Sequence, residues 1–150
     1  MTAAIDDKAP ATSGQLATFR LDGDLYGIEV EHVQEVLRSQ NLTRVPLAPA
    51  AVAGLINLRG QVVTAIELRE RLGRPPRPED TDAVVIVVRL HGEAVSLLVD
   101  AIADVVDVDP ADFEAPPDTL DGTARDLIRG AFKLDGQLLL ALDVHKAVSA

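Results

Sequence analysis

The sequence matches itself at long range. Arg20-Leu21-Asp22-Gly23-Asp24 aligns without gaps on Arg89-Leu90-His91-Gly92-Glu93. The match continues through Ile28/Leu97, Val30/Val99, Glu31/Asp100, Val33/Ile102, Glu35/Asp104 and Val36/Val105. A second block aligns Gly54, Leu58, Gly60, Gln61 and Ala65 with Gly130, Leu134, Gly136, Gln137 and Ala141, and Glu67-Leu68 with Asp143-Val144. The order is block one, block two, linker, block one, block two, which predicts one small supersecondary unit used twice. A unit of about 60–70 residues buries little of its own surface. The two must therefore pack on each other, leaving a seam where partners can bind. Matched positions are expected to maintain the fold. At unmatched ones, such as Asn57 and Arg59 against Lys133 and Asp135, function is free to vary; the alternative is that these are only solvated hairpin charges.

The unit reads as β-hairpins. Residues 15–21 alternate, with Leu16, Phe19 and Leu21 apolar, and Asp22-Gly23-Asp24 is a turn signal before a strand over 25–30. Residues 31–38 read as a short turn or helical piece running into strand. Residues 49–53 could start a brief helix. Strands over 54–59 and 62–68 flank Gly60-Gln61, and a helical turn is expected over 67–72. Residues 73–82, with Pro75, Pro76 and Pro78, form the best linker. Strands over 83–90 and 94–99 flank His91-Gly92-Glu93, residues 110–123 read as loop, and strands over 128–134 and 137–142 flank Asp135-Gly136. Asp143 is a good N-cap for a final helix over 143–148. Residues 1–14 read as a disordered tail.

Chemistry is sparse. Hydrophobic residues make up 47% of the 150, enough for a packed core, and there is no cysteine, which removes disulfides, thiolate metal sites and cysteine nucleophiles. Lys and Arg number 14 against 24 Asp and Glu, a net charge of -10, unsuited to nucleic acid or anionic lipid. The N-terminus lacks an apolar signal region, and the longest apolar runs have strand length. No phosphate loop, dinucleotide fingerprint or nucleophile elbow is present. His32, His91 and His145 are isolated in sequence, so a metal site has little support and each reads as an exposed polar residue. The acidic run from Asp100 to Glu114 lacks the glycine and final glutamate of a calcium loop and reads as a solvated edge. Arg69, Arg71, Arg74 and Arg77 border the Pro-rich linker and are expected to face solvent. Arg59, held between Leu58 and Gly60 in a hairpin, can anchor a partner carboxylate bidentately.

The residues 25–30, Leu-Tyr-Gly-Ile-Glu-Val, followed by Val33-Gln34-Glu35-Val36, and above all Gly54-Leu55-Ile56-Asn57-Leu58-Arg59-Gly60, resemble the CheW family of chemotaxis coupling proteins. Leu98-Val99-Asp100 and Asp104-Val105 resemble the matching stretch of its second half. The resemblance spans residues 15–148. It implies an all-β fold of two five-stranded SH3-like β-barrels with short helices, the first over about 15–73, the second over about 83–142, then a C-terminal helix over 143–148. It implies a non-catalytic adaptor without cofactors, cytoplasmic and recruited to receptor arrays at the inner face of the membrane. One surface would bind the cytoplasmic tip of a methyl-accepting chemoreceptor, others the regulatory domain of the histidine kinase CheA, with CheW–CheW contacts building rings. Val33, Glu35, Gly54, Arg59, Gly60, Val84 and Val105 match positions tied to receptor coupling. Val33, Val84 and Val105 would supply apolar groove surface for a receptor helix, Arg59 and Glu35 polarity and register, and the glycines backbone freedom. Kinase contacts are expected from Asp112, Phe113, Glu114 and Thr119. The chain departs from the family with Thr64 where Pro is usual, Ser96 where Gly is frequent, and Thr119 where an aromatic is common. An adaptor of another receptor–kinase pathway, such as surface motility, and a small-ligand barrel are the alternatives. With the chain ending at Ala150, no attached kinase or receiver domain is expected.

Overall fold

A computed structural model of the chain describes residues 14–38, 41–78 and 82–149; the expected tail, but for Gly14, lies outside them. Its elements are β1 (Gln15–Leu21), β2 (Asp24–Glu29), β3 (Val33–Leu37), β4 (Val52–Leu58), β5 (Gln61–Glu67), α1 (Leu68–Arg71), β6 (Val84–Leu90), β7 (Glu93–Val99), β8 (Ala101–Asp107), β9 (Phe113–Glu114), α2 (Gly122–Leu127), β10 (Ile128–Leu134), β11 (Gln137–Leu142) and α3 (Val144–Val148). A short 3-10 turn over Val30–His32 joins β2 to β3. Three hairpins turn on a residue pair with both φ values positive: Asp22-Gly23 (51° and 88°), Arg59-Gly60 (51° and 89°) and His91-Gly92 (51° and 82°). That is the geometry of the two-residue turn whose twist matches paired strands.

The strands form a six-stranded sheet, β8-β1-β2-β11-β10-β9, and a five-stranded sheet, β3-β6-β7-β5-β4. Two β units were expected, and two sheets are present. The sheets do not, however, divide at residues 73–82. The β1–β2 hairpin of the first half lies in the sheet of β8 to β11, and the β6–β7 hairpin of the second half lies between β3 and β5. A contiguous first barrel over 15–73 and second over 83–142 is thus not how the strands are shared. Each half donates its first hairpin to the other half's third strand and second hairpin.

The exchange is made by two parallel pairings, β2 with β11 and β5 with β7, in the same register: Tyr26 opposes Leu140, and Val95 opposes Thr64. On the outer side Ala17 opposes Val105 in one sheet, and Ile86 opposes Val36 in the other. These pairs are the repeat-related residues of the sequence alignment, so the duplication is architectural.

Three apolar clusters follow. Ile56, Leu58, Val63, Ala65, Val85, Val87 and Leu98 fill the inside of the five-stranded sheet. Leu16, Leu25, Phe132, Leu139 and Ala141 fill the six-stranded one. The largest lies between the two and draws on both halves, including Phe19, Tyr26, Ile28, Ile66, Leu68, Leu97, Leu127 and Val144. Fully burying one such side chain contributes about 1.5–3 kcal/mol. The stacked rings of Phe19 and Tyr26, 5.7 Å apart, sit in this shared core.

Two local expectations are corrected. Residues 49–53 make a turn, closed by Val52 N–H donating to the Pro49 carbonyl at 2.9 Å, in place of a helix. Within the expected loop over 110–123, a helix begins at Gly122, where Asp121 caps α2 by accepting from Ala124 N–H.

The linker arginines are corrected as well. The Arg69 and Arg77 side chains are 9% and 8% exposed, because carboxylates from both halves converge on them. Arg69 Nη2 donates to Asp100 Oδ2 at 2.6 Å and its Nη1 to the Pro75 carbonyl at 2.8 Å. Arg77 reaches Asp100 Oδ1 and Glu67 Oε1 at 3.0 and 2.8 Å. Arg74 pairs with Asp24 at 2.5 Å. These bonds lay residues 74–77 against the junction of the two halves. Burial opposes the charge on Asp100, but hydrogen bonds from Arg69, the Asp22 N–H and Arg77 outweigh it and hold its pKa at about 2, against an ordinary 3.8.

Since that pKa lies below its unfolded value, the stability it contributes is full above about pH 4 and lost as pH falls from there toward about 2. Asp100→Asn is expected to cost about 1–3 kcal/mol at neutral pH by removing the carboxylate charge that Arg69 and Arg77 share, and to flatten the acid limb of stability. Urea melts of both proteins from pH 2 to 7 measure this; parallel acid limbs would refute it.

Candidate functional site

The site begins at the hairpin between β4 and β5. Asn57 Oδ1 accepts the Gly60 N–H at 2.9 Å, which rigidifies the turn from within. The turn aims Arg59 across the open side of the five-stranded sheet. There Arg59 meets Glu35 on β3 with two parallel bonds, Nη1 to Oε2 at 2.8 Å and Nη2 to Oε1 at 2.5 Å. β3 is one edge of that sheet, and Arg59 extends from the hairpin that ends the other. The pair therefore clasps the sheet into a barrel. The hydrogen bond from Arg59 lowers the Glu35 pKa and raises that of Arg59, so both stay charged at neutral pH. Arg59 remains 73% exposed and Glu35 19%, which leaves the outer face of the guanidinium open to a partner.

Next to β3 runs a groove. Glu35 and Leu37 turn inward, so alternation turns Val36 outward, where it is 42% exposed. Val36, Leu37, Val84, Ala101 and Ile102 line a depression of about 550 Å³ with Arg38, Asp82 and Asp100 at its rim. Its walls are edge strands of different sheets, β3 and β8, brought side by side by the exchange. Ile102 is 44% exposed and Val105, further along β8, 55%.

Of the receptor-side residues expected from the sequence, Val84 lines this groove and Glu35 and Arg59 form the clasp. Val33 is half-buried against the shared core. Val105 stands exposed on the same strand as Ile102, outside the depression. Val36 and Ile102 were not singled out from the sequence, although the alignment contains the signal: Val36 is the repeat partner of Val105, and Ile102 that of Val33. Gly60 has open space around it, whereas a Cβ at Gly54 would lie 2.5 Å from the Thr43 carbonyl oxygen. Gly54, at φ 155°, lets the segment around Thr43 cross β4, where Thr43 and Leu55 exchange backbone bonds of 2.9 and 2.8 Å. Gly130 admits β9 in the same way, since a Cβ there would lie 2.4 Å from the Glu114 carbonyl oxygen.

Of the kinase-side residues, Asp112, Phe113 and Glu114 lie at the far edge of the six-stranded sheet. Phe113 and Glu114 form β9, paired with Phe132 and Ala131. The Phe113 ring packs edge-on to Phe132 at 5.2 Å, and Glu114 meets Lys133 at 3.4 Å on the surface. Asp112 is exposed in the turn before β9. Thr119 lies in a separate depression with Arg20, Leu138 and Leu140.

A family model described as a CheW-like domain matches residues 15–150. The chain belongs to the CheW family. It is 31% identical over 140 residues to the chemotaxis protein CheW of Treponema pallidum, covering 91% of this chain and 82% of that one. It is 29% identical to the CheW of Klebsiella aerogenes, covering 99% and 90%. The crystal structure of the scaffolding protein TtCheW from Thermoanaerobacter tengcongensis superposes with a TM-score of 0.80 at 28% identity, covering 91% and 93% of the two chains. The fold is that of a chemotaxis scaffold. Within it, Ser96 is fully buried opposite Ala65, and its Oγ has no hydrogen-bond partner. No helix among the described residues is long and apolar enough to cross a membrane.

Sequence reasoning also missed a cluster. The histidines, isolated in sequence, meet in space: the His145 ring lies 5.5 Å from His32 and 5.1 Å from His91.

Two substitutions test this packing. Gly54→Ala should cost about 1–3 kcal/mol, because backbone oxygen has no rotamer with which to yield. Ser96→Ala should hold or raise the melting temperature, since it deletes a buried, unpaired hydroxyl. Thermal melts decide both; a neutral Gly54→Ala or a large loss in Ser96→Ala would contradict the packing described.

Proposed function

We propose that this protein couples a chemoreceptor to the kinase CheA by holding both, without catalysis. The observation that carries the reading is the groove of Val36, Val84 and Ile102 beside the Arg59–Glu35 clasp. An amphipathic receptor helix lays apolar anchors into such a trough. Arg59, fixed by Glu35 yet still exposed, supplies a directed cation for a helix carboxylate, and bidentate guanidinium contacts set register as well as affinity. The groove is lined by Val36, Leu37, Val84, Ala101 and Ile102 together with Arg38, Asp82 and Asp100, a mixture of apolar and charged groups that suits an amphipathic helix.

The kinase regulatory domain takes the opposite region, around the β9 edge. Asp112 and Glu114 are exposed there, Thr119 is exposed in the separate depression with Arg20 and Leu138, and Phe113 gives the edge an aromatic anchor. β9 is only two residues long, a short edge of the kind that limits indiscriminate strand pairing. Contacts between copies of the adaptor at the barrel ends build rings. In the cell the protein is cytoplasmic and reaches the membrane only through its receptor.

Arg59→Glu is expected to weaken binding to a receptor cytoplasmic fragment at least about tenfold, as loss of an interface hot spot does. It should leave the circular dichroism spectrum unchanged and the melting temperature close to the parent, because an exposed ion pair adds little to stability. Val36→Asp should weaken receptor binding similarly and leave binding to the CheA regulatory domain intact. Pull-down and titration against both partners measure this. Normal receptor binding by both variants would remove the groove from the function.

A further inference from the structure

The internal repeat makes the two junctions between the halves comparable. At the first, Asp22 of the β1–β2 turn, Arg69 of α1 and Asp100 at the end of β7 meet. Arg69 lies 2.6 Å from Asp100 and 3.9 Å from Asp22. The alignment maps Asp22 onto His91, Asp100 onto Glu31, and Arg69 onto His145, two residues past the Glu67/Asp143 match. At the second junction, accordingly, His91 of the β6–β7 turn, His145 of α3 and Glu31 beside His32 come together. Here the central guanidinium is replaced by an imidazole. The acidic and polar partners remain, with the imidazole of His145 at the position that Arg69 holds in the first junction.

We propose that this second junction is a binding site for a divalent transition-metal ion, with His32, His91 and His145 as ligands. The chain's three histidines reach it from three separate elements: the 3-10 turn before β3, the β6–β7 turn, and the first turn of α3. When two imidazoles share one tetrahedral zinc ion at about 2.0–2.1 Å, their ring centres stand about 5.2 Å apart. The observed spacings about His145 are 5.5 and 5.1 Å. The rings are inclined by 85° and 45° rather than stacked flat, and His91 and His145 are exposed, with room to turn about χ2.

The outer contacts suit the same role. Glu29 Oε1 lies 3.2 Å from His32 Nε2, with both side chains four-fifths buried. A carboxylate that accepts one ring N–H fixes the tautomer and leaves the other nitrogen to the metal. Among the described residues, Glu29, Glu31 and His32 bring their ligand atoms within 4.8 Å of one another; His91 and His145 do not reach that distance in their present rotamers and must turn about χ2 to join His32 and Glu31 on one ion. Imidazole with carboxylate selects zinc, nickel or copper over magnesium and calcium. The ion would tie α3 and the β6–β7 hairpin to the turn where the chain passes from one sheet to the other, as Arg69 does at the first junction.

The test uses the untagged full chain, dialysed against EDTA and titrated with zinc chloride by calorimetry, with melting curves in parallel. One ion per chain is expected, with a rise in melting temperature that saturates at one equivalent and is reversed by EDTA. His91→Gln and His145→Gln should each weaken binding at least about tenfold, and Glu29→Gln about tenfold, with unchanged circular dichroism in the absence of metal. Absence of zinc binding would overturn the proposal. So would binding that survives in His91→Gln and His145→Gln but is lost in Glu31→Gln, because the ion would then belong to Glu29, Glu31 and His32 alone.

Discussion

The parallel pairings of β2 with β11 and of β5 with β7 are what the rest of the molecule depends on. Parallel neighbours cannot be joined by a tight turn, so each pairing must be made between segments far apart in sequence. Here each joins a hairpin of one half to a hairpin of the other. Neither sheet can form without both halves, and the cluster around Phe19, Tyr26, Ile66 and Leu97 is buried only when both are in place. The Pro-rich stretch after α1 is therefore not a hinge between independent bodies. Arg69, Arg74 and Arg77 fasten it to Asp22, Asp24, Glu67 and Asp100 on both sides of the junction.

The groove is a by-product of the same exchange. Once each half's first hairpin has entered the other sheet, the third strands, β3 and β8, are left at the edges and face each other across the seam. Edge strands leave side chains uncovered, which is why Val36, Ile102 and Val105 are exposed. The Arg59–Glu35 pair then closes the five-stranded sheet beside that seam. A rigid scaffold thus presents an apolar trough and a directed charge next to one another, which is what a protein that works by holding others requires.

Duplication also exposes where the halves have diverged. Gly54 and Gly130 perform the same service, admitting a crossing segment at a β-bulge, and the Asp22-Gly23 and His91-Gly92 turns have nearly the same backbone. At the junctions, the side chains differ: arginine and carboxylates at one, imidazoles and carboxylates at the other. The backbone was kept because the register of both parallel pairings depends on it. Side chains at the rim carry no such constraint and could take on separate chemistry.

Much of this was legible beforehand. Period-two alternation placed the strands, turn dipeptides such as Asp22-Gly23 and Asp135-Gly136 placed the hairpins, and the Asn57-Leu58-Arg59-Gly60 block pointed to the family and to Arg59 with Glu35. These signals are local, and local backbone preference decides hairpins. Sheet membership, the burial of Arg69 and Arg77, the outward turn of Val36 and Ile102 and the gathering of His32, His91 and His145 were not legible. Each depends on residues dozens of positions apart, and a charged side chain beside a proline-rich stretch reads as solvated until its distant carboxylate is known. The sequence by itself determined which hairpins form and that they occur twice; only the tertiary structure decided which hairpin joins which sheet, because that choice is made by long-range burial and parallel pairing rather than by any neighbour along the chain.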